Sequence, residues 1–322
     1  GLRPGKGAIR WILDASPAPE GKADGKADGR GRTAPFEVGR TEFLDVPAGS
    51  VAVTLPARKY LRATASVEPV IRHEAVHALL ASALGTRERY EAVPRWFREG
   101  LAVEWAGEGE VALGEAIAYT AFHDRPADAF VVGIVSPGVS YAEAFLGIRY
   151  LRDRLDAPGM KALVGMVAEG KPLEAVLSQL LGQSMEAIAA GALRASRERV
   201  ARLLSAERER SFRESLRAER SAGPAAVRTW EALLQGDASG PLAPTLHYLL
   251  GKHGIQGASD AQAVRKARAH LEEVLSAGGS MWRPEALVLL GECHEAQGDR
   301  AAAMERWQEV LDVFGEDEGP AL

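Results

Sequence analysis

The spacing of apolar residues changes along the chain from a period of two to a period of about 3.6. In "VAVTL", Val51, Val53 and Leu55 alternate with other residues after a "PAGS" turn. The stretch 36–55 is therefore predicted to form a β-hairpin, and residues 8–14, "AIRWILD", are predicted to form a further strand. Beyond the hairpin the apolar positions recur at helical spacing almost throughout the chain.

Three early helices have clear start or stop signals. The stretch "SVEPVIRHEAVHALLASALG" predicts a largely apolar helix that stops at Gly85. A second helix, "PRWFREGLAVEWAG", is expected to follow Pro94 and to end near Gly107. A third helix is predicted to begin in "SYAEAFLGIRYLRDRL", where Ser140 and Glu143 have the S-x-x-E spacing of a capping box.

These patterns divide the chain into three parts. Residues 1–193 are predicted to form an α+β domain, in which the glycine-rich charged tract 20–32 is a flexible loop. Residues 194–223 interleave arginine and glutamate at helical spacing, so they are predicted to form a charged linker helix rather than a nucleic-acid-binding arm. Residues 224–322 are predicted to form an all-α domain.

The last part of the chain repeats itself. Residues in its first half recur 40 positions later, and "LEEVL" at 271–275 recurs as "WQEVL" at 307–311. The segment around "PEALVLLGECHEAQGDRAAAMERWQEVLDVF" resembles a tetratricopeptide repeat (TPR), which consists of two helices. Because each helix pair leaves an apolar face that a neighbour must cover, the repeats are expected to stack. The matched positions are Pro244, Leu250 and Gly251 with Pro284, Leu290 and Gly291.

The motif "HEAVH" carries the clearest chemical signal. His73 and His77 are four positions apart, so a helix places both imidazoles on one face within reach of a single ion. A catalytic zinc ion takes three protein ligands and leaves one position open, and Glu74 is then placed to act as a general base. Glu99, 22 residues after His77, supplies a third ligand and lies among apolar residues where an unpaired charge is costly.

The pair "HEAVH" and "PRWFREGLAVEWA" resembles the gluzincin metallopeptidases, most closely the bacterial peptidase-MA-like branch. The resemblance covers about 36–193 and implies that His73, His77 and Glu99 bind one Zn²⁺, with Glu74 as general base. It also implies a small sheet packed on the active-site helix and a helical lobe across the cleft. In relatives an edge strand binds an extended peptide, and by analogy the hairpin at 51–55 is the candidate here.

Two further roles remain open at this stage. A zinc peptidase needs a donor to the oxyanion, and Tyr141 is the first choice, with Tyr119 and His123 as competitors. Some gluzincins orient the first histidine with an aspartate four residues after the glutamate ligand. Here that position is Val103, so the candidates for this role are Glu104, one residue further along, and a backbone carbonyl.

Composition limits the partners. The formal net charge of −5 does not suggest nucleic-acid binding, and no apolar run reaches the roughly 20 residues that span a bilayer. The expected partner is a peptide or protein substrate, with a protein bound through the TPR-like repeats as a further candidate. The sequence leaves the localisation open, and export from a bacterial cell, with the signal segment outside this chain, is one candidate. The alternative function is a catalytically degenerate metal domain that serves as a scaffold for the repeats.

Overall fold

The structure, a computed structural model, describes residues 9–14, 40–43, 51–56, 68–123, 125, 140–219, 223–277 and 282–314. The tract 20–32, predicted to be a flexible loop, lies outside these residues. Three short strands form one sheet: β1 (Ile9–Asp14), β2 (Arg40–Phe43) and β3 (Val51–Pro56).

All remaining regular elements in the described part of the chain are helices. They are α1 (Glu68–Leu84), α2 (Arg87–Ala92), α3 (Arg95–Ala106), α4 (Gly109–Phe122), α5 (Tyr141–Arg154), α6 (Ala157–Ala168), α7 (Leu173–Leu181), α8 (Met185–Leu203), α9 (Ala206–Glu219), α10 (Gly223–Gly236), α11 (Ala243–Gln256), α12 (Ala261–Ser276), α13 (Arg283–Ala296) and α14 (Arg300–Phe314). None of them is both long and apolar enough to cross a bilayer.

The described chain is helical, and the predicted α+β class is wrong. The strands contain only six, four and six residues. The main hydrophobic core of the described residues contains no strand residue. Val51 and Val53 instead form a separate small cluster with Ala78 and Ala81 of α1. The alternating pattern is too short to bury a core of its own, whereas the apolar stripes from α1 onward are long enough to build one.

The strand order corrects the predicted peptide-binding edge. β3 lies in the centre of the sheet, parallel to β1 and antiparallel to β2. Residues 51–54 of β3 therefore have a strand partner on both sides, β1 from Ile9 opposite Val51 and β2 from Phe43 opposite Val51. An added strand needs unpaired backbone groups. The stretch 51–55 is thus not an edge strand within the described sheet.

The start and stop signals around the early helices are confirmed. Gly85 follows α1 with a φ of 80°, and Gly107 ends α3 with a φ of 81°, a region that favours glycine. The predicted capping box is also present at the start of α5. There Ser140 accepts a hydrogen bond from the Glu143 backbone, and the Glu143 side chain accepts one from the Ser140 backbone.

The charged stretch forms two helices instead of one. α8 starts before residue 194 and ends at Leu203, and α9 begins at Ala206. The hydroxyl of Ser205 accepts a hydrogen bond from the Arg208 backbone N–H at 3.3 Å, which caps the new helix. The predicted linker helix over 194–223 therefore shares its first third, residues 194–203, with α8.

The sequence repeat corresponds to a structural repeat of two helix pairs. In the first pair, a Cβ on Gly251 of α11 would lie 2.6 Å from Cγ of Leu271 in α12. In the second pair, a Cβ on Gly291 of α13 would overlap the indole of Trp307 in α14. In both pairs, a glycine in the first helix therefore leaves room for a bulky side chain of the second helix to pack closely against it.

Close packing between α3 and α5 fixes the two helices relative to each other. A Cβ on Gly100 would overlap the Ala144 carbonyl oxygen and lie 2.6 Å from Cγ1 of Ile148. One turn further along α3, the buried carboxylate of Glu104 pairs with Arg149 at 2.8 Å and also with Arg152. These contacts set the position of Glu99 relative to Tyr141, the first residue of α5.

Candidate metal centre

Two histidine rings of α1 face the same point. His73 and His77 are both buried, and their Nε2 atoms lie 3.1 Å apart. This arrangement follows from the four-residue spacing, which places the two side chains one above the other on a helix. The sequence prediction that both rings can contact one ion is therefore geometrically satisfied.

The carboxylate of Glu99 completes a group of three donors. Its Oε2 atom lies 3.6 Å from Nε2 of His73 and 3.3 Å from Nε2 of His77. A tetrahedral zinc ion with bonds of about 2.05 Å requires ligand atoms about 3.3 Å apart. The three separations of 3.1, 3.6 and 3.3 Å therefore fit the ion with small adjustments.

The charges of the group favour a cation. Burial raises the pKa of Glu99, but its contacts with His73 and His77 outweigh burial and hold this pKa well below its usual range. Burial also lowers the pKa of His73, whereas Glu108 and Glu99 raise it to about 9. Without a metal, His73 therefore carries the positive charge that the surrounding carboxylates require.

Glu108 orients His73. Its Oε2 atom lies 2.9 Å from Nδ1 of His73, which is 35 residues away in the chain. Gly107 turns the chain back after α3, and Glu108 sits at the start of α4 without capping that helix. With an ion bound, His73 would be the neutral Nδ1–H tautomer, because the carboxylate accepts this hydrogen bond. The Nε2 lone pair then faces the metal position.

Glu104, one of the two candidates for orienting His73, does not have this role. Its buried carboxylate pairs with Arg149 and Arg152 of α5, so it joins two helices. Sequence reasoning missed Glu108 because the expected position was taken from the spacing in relatives. The available signal was "GEGE", a carboxylate beside a helix-stopping glycine, which places an anion where the chain reverses direction.

Tyr90 orients His77 and was also missed. Its hydroxyl lies 2.9 Å from Nδ1 of His77, so an Nδ1–H on this ring can donate to the phenol oxygen. The guanidinium of Arg98 stacks 4.5 Å from the centre of the Tyr90 ring. Burial raises the pKa of Tyr90 to about 12, so the phenol stays neutral at ordinary pH. Tyr90 lies in α2, a short helix that has no strong periodic pattern.

Tyr141 lies beside the metal position. Its ring contacts that of His73 edge-on, with centroids 5.6 Å apart. Burial and the charge of Glu99 are the two largest influences that raise the pKa of Tyr141 above its usual value. Its competitors Tyr119 and His123 contact each other, with ring centroids 4.3 Å apart. The contact with His73 thus favours Tyr141, whose role in catalysis stays a prediction.

Glu74 is buried next to the first histidine of the group. Its charge contributes to the raised pKa of both Tyr90 and Tyr141, so its carboxylate lies within electrostatic reach of both phenols. A carboxylate in this position can exchange a proton with a molecule bound at the open side of the metal group. Its role as general base stays a prediction.

Comparison with protein-family models, curated proteins and solved structures found no match in any of the three. The resemblance to gluzincins therefore rests on the two motifs alone.

Proposed function

We propose that this chain is a zinc-dependent peptidase of the gluzincin type. His73, His77 and Glu99 would hold the ion. The observation that carries the proposal is the convergence of their Nε2, Nε2 and Oε2 atoms at separations suited to tetrahedral zinc. Hydrogen bonds from both imidazoles to partly buried partners support it, because zinc-binding histidines usually have such partners.

The proposed chemistry divides the roles among three groups. When bound, zinc polarises a carbonyl and lowers the pKa of water to about 7. Glu74 takes a proton from the attacking water and delivers it to the leaving amine as the peptide C–N bond breaks. Tyr141 keeps its phenolic proton at neutral pH, since its pKa is raised, and donates a hydrogen bond to the oxyanion.

The scaffold alternative loses its main motivation. It rested on the open choice of oxyanion donor and on Val103, which stands where some gluzincins place the aspartate that orients the first histidine. Glu108 makes the equivalent contact with His73 from a different position in the chain. We therefore retain one proposed function.

Hydrolysis before and after metal removal tests this proposal. The purified chain should bind one zinc ion and cleave members of a quenched fluorescent peptide library. It should lose activity after chelation and regain it when zinc returns. Glu99→Gln should lose zinc, whereas Glu110→Gln should retain it, because Glu110 is an exposed partner of Arg199. A chain that binds no zinc, or cleaves equally well after complete metal removal, would contradict the proposal.

A further inference from the structure

Arg95 lies at the edge of the metal group. Its Nε atom is 3.8 Å from Oε1 of Glu99, while Oε2 of the same carboxylate faces the two histidines. The side chain of Arg95 is 54% exposed. Its charge also acts on Tyr141, so the guanidinium lies on the side of the site where that phenol stands. Arg95 therefore combines access to solvent with proximity to the reacting centre.

The stability of α3 does not explain this arginine. Arg95 is the first residue of α3, where the positive end of the helix dipole disfavours a cation. The pair Arg95–Glu99 also has the less favourable order, since an acidic residue is better placed before a basic one. Arg98, the other arginine of α3, has a packing partner, because its guanidinium stacks on the ring of Tyr90.

A bound metal changes the charge balance around Arg95. In the metal-loaded site the negative charge of Glu99 is largely committed to the ion, so it compensates the guanidinium less. Arginine stays charged at every relevant pH and binds carboxylates through two parallel hydrogen bonds. The guanidinium Nε lies 3.8 Å from the Glu99 carboxylate, a distance close to the length of one residue of extended chain. An anionic group adjacent to a bound scissile bond is therefore within its reach.

We propose that Arg95 binds a carboxylate of the substrate, so that the chain prefers acidic peptides. This inference rests on the proposed peptidase function. The carboxylate belongs either to an Asp or Glu near the scissile bond or to the C terminus of a short peptide. Both sources present the same planar anion to the guanidinium, and the test below distinguishes them.

Binding to zinc-loaded Glu74→Gln protein tests recognition separately from turnover. Fluorescently labelled peptides that differ only in Glu, Gln or Lys at one position, each with a free or an amidated C terminus, are titrated and followed by anisotropy. Peptides with the recognised carboxylate should bind about tenfold more tightly than their neutral counterparts. A preference that disappears on amidation assigns the terminal carboxylate, and one that persists assigns the side chain.

Variants of Arg95 in the same background decide the cause of the preference. Arg95→Gln should bring the ratio of affinities close to one, Arg95→Lys should retain part of it, and Arg95→Glu should favour the Lys peptide. Arg87→Gln is the matched control, because it removes the same charge from an exposed arginine that pairs with Glu91. Zinc content is measured for every variant, so that a lost metal is not mistaken for lost recognition.

The outcomes separate this inference from the proposed function. Equal binding of acidic and neutral peptides, or a ratio that Arg95→Gln leaves unchanged, would overturn the role of Arg95. Hydrolysis by the unmutated protein without any acidic preference would leave the peptidase proposal standing and remove only this inference. Tight binding of acidic peptides that the unmutated protein never cleaves would support the role of Arg95 and contradict the peptidase proposal.

Discussion

The Oε2 atom of Glu108 lies 2.9 Å from Nδ1 of His73 and fixes the ring so that Nε2 faces Glu99 and His77. Residues from α1, α3 and the start of α4 therefore meet at one point. Because the carboxylate is negative, it would also strengthen His73 as a ligand of the proposed ion. The geometry of the site depends on this contact as well as on the three ligands.

Removing Glu108 should weaken metal binding. Glu108→Ala is expected to raise the dissociation constant for zinc about 10- to 100-fold, because His73 loses the partner that orients it. Competition with a chromogenic chelator measures this constant. Glu110→Gln is the control, since it alters a nearby exposed carboxylate that pairs with Arg199. Unchanged zinc affinity in Glu108→Ala would show that His73 is held by other contacts.

Tyr90→Phe tests the partner of the second histidine. The variant keeps the ring that packs near His77 but removes the hydroxyl 2.9 Å from its Nδ1 atom. Zinc affinity should fall about tenfold, at the lower end of the range for such partners, because the lost acceptor is neutral. Tyr119→Phe is the matched control. Equal zinc affinities for Tyr90→Phe and Tyr119→Phe would show that the Tyr90 hydroxyl does not contribute to zinc binding.

Zinc binding should release protons. Burial lowers the pKa of His73, but Glu108 and Glu99 raise it to about 9, so the metal-free ring is protonated at pH 7.5. Zinc must displace this proton, and its apparent affinity should fall about tenfold per pH unit below 9. Calorimetry in buffers with different ionisation enthalpies should give close to one proton released per zinc at pH 7.5. Binding without proton release would contradict the assignment.

The raised pKa of His73 also predicts how the stability of the metal-free chain depends on pH. A group with a raised pKa in the folded state contributes its full stabilisation below its usual value of 6.5. That contribution is lost as the pH rises through about 9. Denaturation of chelator-treated protein at pH 6 and pH 9.5 measures the difference. Greater stability at pH 9.5, with no change for a His73→Gln variant, would contradict the expected sign.

Gly100→Ala should disturb the packing of α3 on α5. The added methyl would overlap the Ala144 backbone, which cannot move aside as a flexible side chain can. The free energy of unfolding should fall by about 1–3 kcal/mol. Gly165→Ala is the control, because a methyl there meets no atom within 4 Å and alanine favours the helix. A Gly100→Ala chain as stable as this control would show that the two helices can separate.

The sequence predicted the convergence of His73, His77 and Glu99 because their positions depend on local rules. The spacing of His73 and His77 on one helix, and the stops at Gly85 and Gly107, need only helical geometry and backbone preference. Glu99 was recognisable because a charge among apolar residues needs a partner. The second helix pair of the repeat was likewise recognisable from its match to the first.

The parts that were missed depend on contacts between elements. Glu108 and Tyr90 approach the histidines only after α2 and the Gly107 turn have placed them, and no period in the sequence records that. The fold class was wrong because strand-like alternation in 36–55 says nothing about how much core a strand buries. The position of β3 in the centre of the sheet depends on its pairing with β1, which a local pattern does not reveal.

The hydrolysis rate of zinc-loaded Glu74→Gln protein tests the central claim most directly. The substitution keeps the shape of the side chain and leaves the three metal ligands in place, so it should bind zinc as the unmutated chain does. Removal of the proton acceptor should lower kcat by a factor of about 10²–10⁴ on a peptide that the unmutated chain cleaves. Equal kcat values for the two zinc-loaded proteins would contradict the proposed mechanism.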